Sequence, residues 1–316
     1  MSNPNFDEIL TTTFNKHRAK FVDQVFGARP LTFFLMQAGQ IRMVDGGAKI
    51  VEPLIVANNS TVETYVQGGT LTPADTSEFS AAEYDWKMMV ASITIHGLEE
   101  AKNAGTSRIL DLLEGKIMVA RESITEKFNQ DFHGGGTYDV PATGAWNDLG
   151  YLLGGNTSLA TQVGGINPAA NTYWQTNIDS TAEVLTTAAM TTSYNNASVG
   201  NDQPNVIITD QTLYEKYESL LQPQLRYQSA QVADAGFQNL MFKGAPVLYD
   251  ADTASGFMWM LNTKYLKLIG HSNKWFTPSP FIRTTTEDSR TAQIFCYGNL
   301  IVNNRARQAV LSGKTA

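Results

Sequence analysis

Three places in the chain hold residue types that could carry chemistry. Ser312-Gly313-Lys314-Thr315 imitates the end of a phosphate-binding loop, where glycine backbone cradles a phosphate and lysine reaches its oxygens. The position of that loop's first glycine falls on Gln308, however, and no helix follows. Asp131-Phe132-His133, beside Gly134-Gly135-Gly136, offers one carboxylate and one imidazole, too few ligands for a metal, and His17, His96 and His271 stand in unrelated stretches. Loop polarity is the expected role of the Asp131 and His133 side chains. Cys296, the only cysteine, lies in Ile294-Phe295-Cys296-Tyr297, which excludes an intrachain disulfide or a thiolate cluster and reads as a small buried hydrophobe. There is no G-x-S-x-G nucleophile elbow. No catalytic, metal or cofactor residue is assigned, and no enzyme is expected.

The charges that remain are arranged for a surface. From Ile50 to Trp86 there is no lysine or arginine, while Glu52, Glu63, Asp75, Glu78, Glu83 and Asp85 are all present. A ribbon of one sign suits a basic partner, and the candidate basic residues on a following helix are Lys102, Arg108, Lys116, Arg121 and Lys127. The whole chain of 316 residues carries a formal net charge of -7 with a pI near 5.2, which argues against a surface built to grip phosphate backbones. The start lacks a basic-then-apolar leader and no run approaches a membrane span, so a soluble protein made in the cytoplasm is expected.

Two elements must position these charges. Ile50–Val66 and Ala82–His96 are extended stretches rich in Val, Ile, Thr, Tyr and Trp, separated by the Gly-, Pro- and Ser-bearing tip Gln67–Ala81, and so read as a long hairpin. In the second arm Tyr84, Trp86, Met88, Val90, Ser92 and Thr94 share one face, and Asp85, Lys87, Met89, Ala91, Ile93 and Ile95 share the other. A two-stranded ribbon has no core and must lie on something. Arms of about 15 residues reach about 50 Å, against a radius of gyration near 20 Å for a compact chain of this size, roughly. The ribbon is therefore expected to overhang its own subunit. The other element is a helix over Thr106–Phe132, started by a Thr106 or Ser107 hydroxyl cap and stopped by the three glycines. Ile109, Leu110, Leu113, Ile117, Ala120, Ile124 and Phe128 recur at helical spacing and face the core. Leu112, Gly115 and Val119 form a second, smaller seam on the opposite side, so the helix is expected to be touched from two sides.

Around them the chain reads as α+β. An N-terminal helix from Pro4 toward Val25 is expected, broken by Gly27 and Pro30, then short strands at Thr32–Met36 and Gln40–Val44. A helical patch at Leu98–Ala104 precedes the long helix. Gly134–Pro204 reads as loops around one helix opened by a Ser180/Glu183 capping box and containing Val184, Leu185, Ala188 and Ala189. Asn205–Thr209 is a buried strand, Asp210 caps a helix carrying Leu213, Tyr214, Tyr217, Leu220 and Leu221, and Lys243-Gly244 turns a hairpin between Phe237–Phe242 and Ala245–Tyr249. Further strands are expected at Phe257–Leu261, Tyr265–Ile269 and Thr291–Val302, the last packing under the long helix.

This order of elements resembles the major capsid protein of tailed bacteriophages, a fold shared with encapsulins. The resemblance is carried by Tyr84-Asp85-Trp86-Lys87 through Ile95, by Pro204-Asn205-Val206-Ile207-Ile208-Thr209-Asp210, by Phe242-Lys243-Gly244-Ala245-Pro246-Val247, and by Gly298-Asn299-Leu300 to Arg305-Ala306-Arg307. It implies an N-terminal arm (1–29), a peripheral domain (30–49, 98–149 and 262–316) with spine helix 106–132, an extended loop (50–97) lying over the neighbouring subunit, and an axial domain (150–261). It further implies self-assembly through hexamers and pentamers into an icosahedral virion shell, made in the host bacterial cytoplasm. Double-stranded DNA would be enclosed without specific binding, with separate scaffold, portal and decoration proteins as further partners and no cofactor. Some relatives cross-link through a lysine in the extended loop, but Ile50–Asp85 contains none, so a shell without covalent bonds is expected. The competing expectations are an encapsulin-like compartment and, from another class, a soluble enzyme or binding module with a pocket near Asp210.

Overall fold

The computed structural model describes residues 29–37, 41–71, 74, 77–102, 106–134, 144–154, 162–221, 240–283 and 287–316. The expected N-terminal helix lies outside them. The described chain opens on helix α1 (Pro30–Gln37), where a strand was expected over Thr32–Met36. The physical reason is the proline, preset for a first helical turn, followed by Leu31 and Leu35, both fully buried at a spacing of one helical turn. Strand β1 (Ile41–Val44) follows, then β2 (Ile50–Ile55), β3 (Phe79–Tyr84) and β4 (Lys87–His96).

The expected hairpin is shorter than its sequence pattern. β2 pairs antiparallel with β3 from Ile50↔Tyr84 to Ile55↔Phe79, with one further bond from the Val56 N–H to the Glu78 carbonyl at 2.9 Å. The chain breaks at Asp85-Trp86, and β4 joins a different sheet, pairing with β14 (Ser289–Val302) from Ser289↔His96 to Gly298↔Lys87. The second arm is therefore two strands in two sheets. Its alternation is kept: Ile93 and Ile95 are buried, Met88 and Val90 exposed.

After helix α2 (Gly97–Lys102) comes the long helix α3 (Thr106–His133), ended by Gly134 at φ 68. Ile117, Ala120, Ile124 and Phe128 are buried as their spacing predicts. They face the sheet built on β14, one edge of which is covered by β4 and the other in succession by β11 (Leu266–His271), β12 (Thr277–Pro278) and β13 (Ile282–Arg283), with β1 parallel to β11. Ile294, Cys296, Leu300 and Val302 point inward, as the sequence predicts for the last long strand. Between helix and sheet, Phe128 meets Trp146 edge-on at 4.7 Å and approaches Trp275 and Phe276 at 6.2 and 6.1 Å. Gly298 is the close-approach point: a Cβ there would collide with the Ile269 carbonyl oxygen and the Trp146 and Trp275 rings.

The second sheet runs β5 (Asn177–Asp179), β15 (Ala309–Leu311), β10 (Met258–Leu261), β7 (Val206–Thr209), β9 (Ala245–Tyr249), β8 (Leu240–Phe242). Every residue of β7 and β10 is buried, because one face lies under α5 (Thr187–Ala197) and α6 (Gln211–Leu221) while the other joins the core shared with the first sheet. Helix α4 (Leu149–Leu153) is capped by the Asp148 side chain. The helix expected from Ser180/Glu183 begins later: the Thr186 hydroxyl caps α5, and Glu183 lies instead in β6 (Glu183–Val184), paired with β16 (Lys314–Thr315). Ala309–Leu311, grouped by sequence with the first sheet, is a strand of the second.

After β10 the chain crosses to the first sheet at 262–265 and returns to the second at 303–308, and these two crossings are stitched together. Gln308 Oε1 accepts from the Asn262 N–H at 2.7 Å, and Gln308 Nε2 donates to the Asn262 carbonyl at 3.0 Å. Asn205 bonds Thr263 at both its amide atoms, and the Asn303 N–H donates to Tyr265 O. Arg305, 1% exposed, donates to the Trp174 carbonyl, and burial pulls its guanidinium down to about 10. Removing Gln308 strands a buried donor and acceptor, so Gln308→Ala is expected to cost about 2–4 kcal/mol. Gly298→Ala over-packs the first sheet and is expected to cost about 1–3 kcal/mol. Denaturant unfolding followed by tryptophan fluorescence measures both.

At the C-terminus the Lys314 ammonium is fully enclosed by Asp179 Oδ2 (2.9 Å), Glu183 Oε1 (2.8 Å) and the Thr181 carbonyl (3.0 Å). Burial pushes the Asp179 carboxyl up, but hydrogen bonds from Lys314 and Thr181 outweigh it and hold the group below its usual range. Burial pushes the Lys314 ammonium down, but Glu183 and Asp179 outweigh it and hold the group above its usual value. The carboxylate's contribution is present above the ordinary carboxylate value and lost as pH falls through its depressed one. The lysine's is present below its ordinary value and lost as pH rises through its raised one. The protection of the 311–315 amides, taken as exchange relative to the intrinsic rate at each pH, is expected to hold from about pH 4 to about pH 10 and to fall on both sides.

Candidate assembly surface

The chemical candidates are all accounted for by structure. Lys314 belongs to the C-terminal tie, on strand rather than at a helix start, so it holds no phosphate loop. Asp131 and His133 lie on the last turn of α3, not in a loop, which corrects their expected role. Asp131 pairs with Lys127 at 2.7 Å, and His133, fully buried, has Nε2 3.4 Å from Asp250 Oδ2 and Nδ1 3.3 Å from the Thr253 hydroxyl. Asn129, one turn earlier, donates to Asp250 and Asp252, so this cluster ties the helix end to the second sheet. Among the described residues no group of three His, Cys, Asp or Glu side chains could hold a metal. Cys296 is buried, and burial pushes its thiol up. Asp210 is 6% exposed and takes long contacts from Ser255 and Thr209.

What the fold leaves outside is the far part of the hairpin. Beyond its paired arms the chain runs through 56–78, where Val62 is 84% exposed, Tyr65 68%, Val66 77% and Leu71 57%, joined by Ile55 and Phe79 on the arms. Sequence reasoning took Val62, Tyr65 and Val66 for strand residues. Only the absence of an alternating partner in 67–78 signalled otherwise. Large apolar side chains left in water along one stretch of chain suit a surface that another molecule covers.

The expected acidic contacts divide. Glu63 and Asp85 are exposed and Glu78 is half-buried, whereas Asp75 lies outside the described residues. Glu83 pairs with Lys49 of the same chain at 3.0 Å, and Glu52 is 5% exposed, paired with Arg42 at 2.9 Å and Lys267 at 3.2 Å. Glu52 is thus corrected from a surface contact to an internal tie, because it sits on the inward side of β2 between Ile50 and Leu54.

On the far side, a groove of about 690 Å³ runs between β4 and α3, its floor and walls including Met89, Ala91, Ile93, Val119, Ala120 and Ile124. Gly115 opens it, since nothing lies within 4 Å of where its side chain would start, and Val119 is 64% exposed. Gly115 and Val119 of the expected second seam line this groove together with Ala120 and Ile124 of the core stripe, rather than a separate opposite face. Lys116 reaches across it to Glu99 Oε2 at 2.6 Å and the Thr94 carbonyl at 2.7 Å, and that lysine holds the Glu99 carboxyl below its usual range. Of the expected basic partners, Lys116 and Lys127 are therefore already paired within the chain. The side chains of Lys102, Arg108, Leu112 and Arg121 lie outside the described residues.

No protein-family model and no curated protein matches the chain. Solved structures do. A chain of the cyanophage A-1(L) capsid asymmetric unit superposes with a TM-score of 0.69 at 18% identity, over 89% of this chain and 92% of that one. The SrpI encapsulin of Synechococcus elongatus PCC 7942 superposes with a TM-score of 0.59 at 10% identity, over 89% and 87%. The capsid of a native GTA particle gives 0.57 at 10% identity, over 89% and 90%. With its long helix on a β14-centred sheet, its second mixed sheet and its projecting hairpin, the chain has the α+β fold of tailed-phage capsid proteins and encapsulin shells.

Proposed function

We propose that the protein is a major capsid protein, a structural shell subunit and not an enzyme, whose copies close through hexamers and pentamers into an icosahedral particle around double-stranded DNA. The observation that carries this reading is the superposition on a phage capsid subunit over nearly the full length of both chains. An apolar hairpin tip with no use inside its own subunit supports it.

In this reading residues 50–97 contain the extended loop that lies over a neighbour, 1–29 form an arm, 30–49 and 98–149 with most of 262–316 build the peripheral domain, and 150–261 with Ala309–Leu311 build the axial one. Heterologous contacts of this kind close into rings when the rotation allows. Glu63, Glu78 and Asp85 with the tip's apolar residues supply one side of the contact, and the groove edge at Gly115, Lys116, Val119 and Lys127 supplies the other, together with Lys102, Arg108, Leu112 and Arg121. Lys116 and Lys127 exchange intrachain partners for a neighbour's carboxylates, or share them. A chain of net charge -7 confines DNA without gripping it. Scaffold, portal and decoration proteins are separate partners. The site of action is the virion, and among the described residues no helix is long and apolar enough to cross a membrane. A compartment around protein cargo is the second reading, favoured by the encapsulin superposition and separated by particle contents.

Two variants test the contact. Tyr65→Ser with Val66→Ser alters exposed side chains only and is expected to leave stability within about 0.5 kcal/mol, yet to lower the assembled fraction in sedimentation at least tenfold. Glu63→Lys with Glu78→Lys is expected to assemble as poorly, with the defect shrinking as salt rises. Normal assembly by both variants would sink the loop contact.

A further inference from the structure

The root of the hairpin carries a feature that neither its stability nor its surface requires. Ile50, Glu52 and Leu54 form the inward side of β2, at 4, 5 and 8% exposure. The middle member of this apolar row is a carboxylate. Burying one is unfavourable unless it is paired, and a well-packed apolar residue at such a site is often at least as stable. Glu52 is paired as a fork: Oε1 accepts from Arg42 Nη1 on β1, and Oε2 accepts from Lys267 Nζ on β11, the strand hydrogen-bonded beside β1. Its two oxygens thus reach two neighbouring strands of the first sheet. Apolar contacts from Ile50 and Leu54 hold the ribbon down but do not set its direction, since apolar surfaces slide. A forked, charge-assisted contact does set direction.

We propose that Glu52 is a positioning residue: with Arg42 and Lys267 it clamps the angle at which the hairpin leaves the subunit, and so sets the uniformity of whatever the hairpin assembles. This rests on the shell reading for its consequence, though not for the clamp. Of the other ties at the root, the Trp86 indole N–H donates to the Gly47 carbonyl at 2.9 Å, ahead of β2, and two act on the partner arm. Tyr84 donates its hydroxyl to the Val302 carbonyl at 2.6 Å, and the Glu83 N–H donates to Gly164 O at 2.9 Å. β2 itself is directed by Glu52. Arg42 and Lys267 are themselves 57% and 23% exposed at their side chains, so loss of Glu52 leaves both able to reach water.

Glu52→Met separates positioning from stability. The full-length variant is expected to melt at the wild-type temperature or above. Its amides in Ile50–Ile55 and Phe79–Tyr84 are expected to exchange at least tenfold faster while those of β7 and β10 do not change. Its particles, imaged by negative stain, are expected to spread over several diameters. Unchanged exchange in the arms, or uniform particles despite faster exchange, overturns the proposal. If Glu52→Met fails to fold, Arg42→Gln, which removes one tine from a largely exposed cation, carries the same two readouts in the same direction. Faster arm exchange in a protein whose wild type forms no particles upholds the clamp and counts against the shell. Unchanged exchange with normal wild-type shells does the reverse.

Discussion

The pair of hydrogen bonds between Gln308 and Asn262 is the constraint on which the rest of the structure depends. The chain passes from the second sheet to the first at 262–265 and back at 303–308, and each passage exposes backbone donors and acceptors that no strand can satisfy. Burying them is tolerable only because one side chain, itself fully buried, takes both an N–H and a carbonyl of the opposite crossing. Asn205 with Thr263 repeats the device alongside, and at the far end of the long helix Asn129 and His133 meet Asp250 and Asp252. Two sheets with different helix partners are thereby held as one body.

A body tied in this way would suit the proposed assembly, because an error of angle at one contact is multiplied around a ring. The exposed apolar part is kept separate. The hairpin has short paired arms and a run of exposed apolar side chains, and at its root it is held to the body by the buried Ile50, Leu54, Ala82 and Tyr84 together with a few specific polar contacts. Exposed apolar surface of this sort is a liability in a free subunit and an asset once a neighbour covers it. In the proposed assembly the polar root contacts would choose geometry and the apolar tip would supply affinity: fully covering a side chain such as Val66 is worth about 1.5–3 kcal/mol.

Local signals in the sequence were enough for several elements. The helical stripe from Ile117 to Phe128, the all-buried strand Val206–Thr209, the inward alternation of Ile294 to Val302 and the Lys243-Gly244 turn, with φ of 48 and 88, follow from periodicity and turn chemistry. What was missed is non-local. The alternation from Ala82 to His96 runs on through Asp85-Trp86 with no glycine or proline to mark the point where the strand changes sheets. Ala309–Leu311 gives no local sign that its partners are Met258–Met260 rather than its sequence neighbours. Glu52 was misplaced because a carboxylate in an acidic run reads as surface, and only its register opposite Ala82 shows that it faces inward. The groove was half legible: Gly115 and Val119 were seen as a seam, but its other wall on β4 could be placed only once the fold brought it there.

The most direct test is a single-particle cryo-electron microscopy reconstruction of the purified full-length protein after assembly. Closed shells of five- and six-fold rings, with density for 56–78 lying over the next subunit near Gly115 and Val119, are predicted. A protein that stays monomeric under all assembly conditions, or rings in which 56–78 folds back on its own subunit, would contradict a shell built on the hairpin.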